Sequence, residues 1–144
     1  MEYKLCIEGI NGKIDITDTQ IIQKIDIRIY QSDKSSNDRS DQLFSELTIY
    51  GLLNDKSKKE TQEIFEWSKK IDKANVYRII SLQVYNQKDL VRDYYLKEMY
   101  CDSYEEIFDE CSSQDGPKAD SIGSFVLKMK QRKGAIDTIV VESE

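Results

Sequence analysis

Histidine is absent from the 144 residues, proline occurs once and glycine six times. Without imidazole there is no Ser-His-Asp or Cys-His triad, no His-ligated zinc and no histidine general base. The cysteines, Cys6, Cys101 and Cys111, are odd in number and lack a CxxC spacing. This pattern predicts free thiols rather than a disulfide framework or a zinc site. No apolar run approaches the ~18–20 residues that span a bilayer, which predicts no membrane insertion. The opening MEYKLCIEG has no basic stretch followed by an apolar one, so no signal peptide is expected and the chain is expected to be made in the cytoplasm. Bases are outnumbered, 21 Lys and Arg against 27 Asp and Glu, for a net charge of −6. That balance argues against nucleic acid as a partner, because phosphate binding needs a dense basic surface. Phosphate-cradling glycine patterns, GxxxxGK[ST] and GxGxxG, are also missing.

What is present is a polar globular composition, 39% hydrophobic and 33% charged, with nine tyrosines, four phenylalanines and one tryptophan to build a core. The length suits one domain, residues 1–144. Alternation of period two dominates the pattern. Tyr3, Leu5 and Ile7 alternate with polar residues, and Asn11-Gly12 then reads as a tight turn into Ile14 and Ile16. Ile25, Ile27 and Ile29 share a face opposite Lys24, Asp26, Arg28 and Tyr30. Strands are also predicted over 43–51, 76–85, 90–104 (long and bent), 122–130 and 136–141. The segment after Asn86-Gln87-Lys88-Asp89 returns as a hairpin, and the last two strands close a final hairpin. Ser57 and Glu60 fit a capping box that starts one helix running to about residue 73, with Ile64, Trp67 and Ile71 as its apolar stripe, widened by Phe65. The sum is a mainly β chain: an antiparallel barrel or sandwich of about seven or eight strands with one flanking helix, about 57–73.

Two polar segments interrupt the strands, 31–42 and 109–121. The first has the oxygen spacing of a calcium loop in Asp33, Ser35 and Asn37. Asp38 stands where the loop glycine belongs and Phe44 where the closing glutamate belongs, so calcium is not expected. The acids Asp102, Glu105, Glu106, Asp109 and Glu110 lack a partner lysine or nitrogen ligand at a defined spacing, and read as a solvated acidic edge rather than a hydrolytic pair. Catalytic, metal and cofactor residues are therefore expected to be none.

The layout of early strands, polar loop, strand, helix with ETQEIFEWSKK (60–70) and a run of hairpins resembles the tail-tube superfamily. That superfamily includes the haemolysin-coregulated protein of type VI secretion and the tubes of contractile phage tails. The likeness is most specific in VYRIISLQVYNQKDLVRDYYLKEMYCDSYEEIFDE (76–110), with Tyr95 and Tyr100, and in GSFVLKMKQRKGAIDTIVV (123–141). The resemblance implies a non-enzymatic subunit that forms hexameric rings stacked into a hollow tube. Sheath or baseplate proteins and effector cargo would be its partners, and a contractile apparatus would export it. A baseplate, tube-initiator or effector-adaptor role on the same fold is the alternative, and a small-ligand-binding barrel is the alternative of another class. Candidate ring-contact or stacking residues are Asp33, Lys34, Asp38 and Arg39 in the first loop, the five acids from Asp102 to Glu110, and the basic set Lys128, Lys130, Arg132 and Lys133. Opposite charges on different edges would set the register between copies.

Overall fold

A computed structural model describes residues 1–31, 43–108 and 121–143. The polar segment 32–42, including Asp33, Lys34, Asp38 and Arg39, lies outside the described residues, as do Asp109, Glu110 and Cys111.

The described residues form eight strands, β1 (Glu2–Gly9), β2 (Gly12–Ile16), β3 (Ile22–Gln31), β4 (Leu43–Leu53), β5 (Arg78–Asn86), β6 (Asp89–Phe108), β7 (Gly123–Gln131) and β8 (Val140–Glu142). They form one antiparallel sheet in the order β2-β1-β5-β6-β7-β4-β3, with β8 pairing off this path with β6. The expected alternations hold. Leu5, Ile7, Ile14, Ile16, Ile80, Leu82, Phe125, Leu127 and Met129 are all inward and at most 3% exposed. They join Leu47, Ile49, Leu96 and Met99 in a single apolar core. The last strand of the path, β3, comes back into contact with β1, yet among the described residues no hydrogen-bonded ladder joins them. The sheet is thus curled around its core but not closed.

The helical region departs from expectation in three ways. Helix α1 runs only over Lys58–Ser68, and a four-residue α2 (Lys73–Val76) follows it. The early stop is tied to Trp67, whose indole N–H donates to the carbonyl of Val76 at 3.1 Å, so the chain must turn back at once. Ile71 is left 93% exposed and Phe65 45%, which confines the buried stripe to Thr61, Ile64 and Trp67. The capping box is also not made. The Ser57 hydroxyl faces the preceding turn, donating to the Leu52 carbonyl at 2.7 Å and accepting from the Asn54 N–H at 3.1 Å. It therefore caps the turn that delivers the helix rather than the helix itself.

The last segment is not a hairpin with β7. Both sides of β7 are occupied, by β6 and by β4. The chain instead passes through one 3₁₀ turn, Ile136–Thr138, and β8 lands on Asp93–Tyr95 of β6. Strand β6 therefore changes partner on that side, from β8 to β7, which it pairs from Met99 onward. Glu98 stands at the changeover with φ of 56°, the left-handed region that L residues rarely adopt. Backbone and side chain from the end of β7 hold it there: the Arg132 N–H donates to the Glu98 carbonyl at 2.9 Å, and the buried Gln131 amide donates to the Lys97 carbonyl at 2.9 Å.

Candidate assembly interface

The described candidate residues sit on β6, β7 and the turn that follows. Tyr100 faces Lys130 across the ladder, Ser103 faces Lys128 and Glu105 faces Val126, with an irregularity that places Asp102 between Cys101 and Ser103. The described acidic and basic residues thus lie on adjacent strands, not on different edges, and three of the bases are paired within the chain, only Lys130 with a member of the acidic set. Lys130 Nζ lies 3.8 Å from Asp102, Lys128 Nζ lies 3.5 Å from Glu46, and the Arg132 guanidinium lies 2.8 Å from Glu98. Burial pulls the Lys130 ammonium down, but the Asp102 carboxylate, with Tyr30, Glu46 and Tyr100, outweighs it and holds the group above its ordinary range. Glu106 accepts a hydrogen bond at 2.8 Å from the Tyr104 hydroxyl, which burial and this bond push well above the usual phenol range. Lys133 is exposed in the turn and takes no ion pair among the described residues.

Glu46 and Glu98 were invisible as partners in the sequence, because no local pattern shows that β4 lies beside β7 or that β6 bulges at Glu98. The same holds for the aromatic groups on this face. Tyr30 stacks on Phe44 with ring centroids 6.0 Å apart, Arg28 lies 4.3 Å over Tyr30, and Tyr77 meets Tyr100 edge-on at 6.1 Å.

The geometry also brings forward an edge. The β4–β7 ladder ends at Glu46–Lys130, but the β3–β4 hairpin continues through the pairs Ile29–Ser45, Tyr30–Phe44 and Gln31–Leu43. Among the described residues, no strand pairs with the outer side of β3. Its core-side isoleucines become less covered toward the tip: Ile25 and Ile27 are half-buried and Ile29 is 56% exposed. Such an edge is a template for another chain.

Among the described residues, the inward side chains of the core are only 0–6% exposed. A ligand-holding barrel needs a hollow there. Among the described residues, no group of three or more Cys, Asp or Glu side chains is arranged to hold a metal ion.

No protein-family model matches the chain, and no curated protein matches it by sequence. Solved structures match over its full length. Hcp1 from Flavobacterium johnsoniae aligns with a TM-score of 0.59 at 14% identity, covering 100% of this chain and 97% of that one. Hcp1 of E. coli EAEC 042 aligns with a TM-score of 0.59 at 8% identity, covering 100% and 99%. A chain of the sheath–tube complex of an extracellular contractile injection system, PVC, aligns with a TM-score of 0.53 at 11% identity, covering 99% and 89%. The fold is that of Hcp and contractile-injection tube proteins.

Proposed function

We propose that the chain is a structural subunit, not an enzyme, that associates with further copies of itself into six-membered rings stacked around a hollow lumen. The reading rests chiefly on the fold match to Hcp1 proteins, which covers 100% of this chain and 97–99% of theirs. The open sheet fits it. A long unpaired edge carrying exposed isoleucine is a liability for a monomer and an asset for a subunit whose neighbour covers it. Sheath or baseplate proteins outside the ring, and effector cargo within it, are the further partners this role calls for. Synthesis in the cytoplasm followed by expulsion through a contracting apparatus is the corresponding itinerary.

Light scattering and negative-stain microscopy of the purified protein test the reading together. Annular particles with a central hole, of six-subunit mass, are the expected result. A monomer that persists at high concentration and low salt would overturn it.

A further inference from the structure

One side chain in this fold is held in place without an acceptor. Arg78, at the start of β5, lies with its guanidinium carbon 5.2 Å over the ring of Trp67 and against the backbone of Gly9. A β-carbon on Gly9 would come within 3.0 Å of Arg78 Nε, so the glycine makes the space that the guanidinium fills. Nε is buried, and among the described residues neither it nor the rest of the group takes a hydrogen bond or an ion pair. Burial draws the guanidinium pKa below its ordinary value, opposed by the charge of Glu63. Yet Arg78 lines two grooves. One, of about 510 Å³, runs between the β1–β2 turn and α1, with Asn11, Lys13, Gln62, Glu63 and Lys70 on its walls. The other, of about 320 Å³, lies beside Ile10, Tyr77 and Lys97.

We infer that the larger groove is a carboxylate-binding site, with Arg78 as its fork and the Trp67 ring as the plate that fixes the fork's plane. A guanidinium presents paired N–H donors that match the two oxygens of a carboxylate, and stacking on an aromatic ring removes the freedom that pairing would otherwise cost. The surrounding charge selects the class of anion. Lys13 is engaged with Asp15 at 3.6 Å, and Glu66 with Lys69 at 2.9 Å. That leaves Arg78 and Lys70 against Glu63 on this groove, a net single positive charge that suits a monoanion better than a phosphate dianion. Glu8, Lys97 and Glu98 face the other groove, and Glu98 is already paired with Arg132. Asn11 and Gln62 supply amide N–H groups within the same walls. The ligand is an aspartate or glutamate side chain of a polypeptide, from a second copy of this chain or from a separate protein. The site does not depend on the ring-forming role.

Trp67 is the sole tryptophan and lies under the guanidinium, so its fluorescence reports occupancy. The full chain is titrated with an end-blocked peptide of alternating glycine and glutamate, and separately with inorganic phosphate. A saturable change with the peptide, at least about tenfold weaker in Arg78→Gln and several-fold weaker in Lys70→Gln, supports the site. Lys70 is exposed, so its variant keeps the test valid if Arg78→Gln fails to fold. No saturable change with the peptide, undiminished binding in Lys70→Gln and Arg78→Gln, or tighter binding of phosphate than of the peptide would overturn it. Sedimentation of the same variants separates the sources. Weakened self-association in Lys70→Gln, reproduced in the parent by adding peptide, assigns the carboxylate to a second copy. Unchanged association in Lys70→Gln, and in the parent saturated with peptide, assigns it to another protein. A chain that assembles into rings while Trp67 ignores the peptide loses the site and keeps the proposed function.

Discussion

If neighbours meet along β3, Ile29 is the residue whose change should separate assembly from folding. Fully burying an isoleucine side chain stabilises by about 1.5–3 kcal/mol. In the single chain Ile29 is 56% exposed, so folding has captured less than half of this and a covering neighbour would recover the remainder, about 1–1.5 kcal/mol per contact. Ile29→Ala should therefore weaken each contact about five- to tenfold. Ile29→Lys should do more, since a partner strand would have to cover an ammonium group. Neither should unfold the domain: losing the part of Ile29 that folding buries is expected to cost about 1 kcal/mol, or some 2–5 °C in Tm for a chain of this length. Sedimentation velocity over about a hundredfold range of concentration measures the first effect, and thermal unfolding at the dilute end measures the second. Ile71→Lys is the control, because Ile71 is 93% exposed and lies between the helices, away from β3. Wild-type association in Ile29→Lys would refute the β3 edge as the contact. Loss of association accompanied by a fall of more than about 10 °C would refute the claim that the two properties separate here.

Three further outcomes follow from the packing. In Gly51→Ala the new β-carbon would clash with two carbons of the fully buried Phe125 ring, for an expected loss of about 1–3 kcal/mol and a Tm fall of about 3–10 °C. Combining it with Phe125→Leu should cost less than the sum of the two, and strict additivity would show that the ring is not what resists. In urea, Ser57→Ala should lose about 1–3 kcal/mol, because it orphans the buried Asn54 N–H and Leu52 carbonyl, whereas Glu60→Ala should lose under about 0.5. Equal losses would mean that the capping box forms after all. For Cys101, burial and then the Asp102 charge push the thiol from the ordinary 9.0 up to about 11. The unfolded chain then sheds this proton first. The contribution is intact below about pH 9 and is lost as pH rises toward 11, so Cys101→Ala should flatten the alkaline decline in stability, and an unchanged slope would refute it.

The legible parts of this fold were those set by near neighbours in sequence. Alternation at Leu5 and Ile7, at Ile80 and Leu82, and at Phe125, Leu127 and Met129 states which side of each strand is apolar, whatever that strand pairs with. The misread features depend on groups far apart in the chain. Whether α1 stops at Ser68 turns on where the Val76 carbonyl lies relative to Trp67, and periodicity alone continues to Ile71. Ser57 followed by Glu60 fits the capping pattern, but the hydroxyl is taken by a turn whose shape the pattern does not encode. The landing of β8 on β6 was hidden because it follows from sheet order: only once β4 is known to flank β7 is the hairpin excluded. The same non-local order hides Arg78, whose surroundings come from the turn after β1, the end of α1 and the start of β5 at once.

Charge shows the same dependence and leads to a sharper test. The net −6 is concentrated in residues 102–120, with seven acids against Lys118, while the remainder balances at twenty of each sign. Read linearly, the basic run 128–133 looks available to a neighbour's acids. In the fold, Lys128, Lys130 and Arg132 are already committed to Glu46, Asp102 and Glu98. Reversing all four bases would first break contacts inside the subunit, partly exposed pairs worth about 1 kcal/mol each, so reduced assembly in that variant would not identify an interface. Lys133→Glu breaks none of these pairs. If the basic turn sets the register between copies, this single change should weaken association at low salt and leave Tm within about 2 °C of the parent, with the difference vanishing as added salt shortens the Debye length to about 3 Å at 1 M. Association that is unchanged at low salt in Lys133→Glu would remove the turn from the interface and leave the β3 edge to account for contact alone.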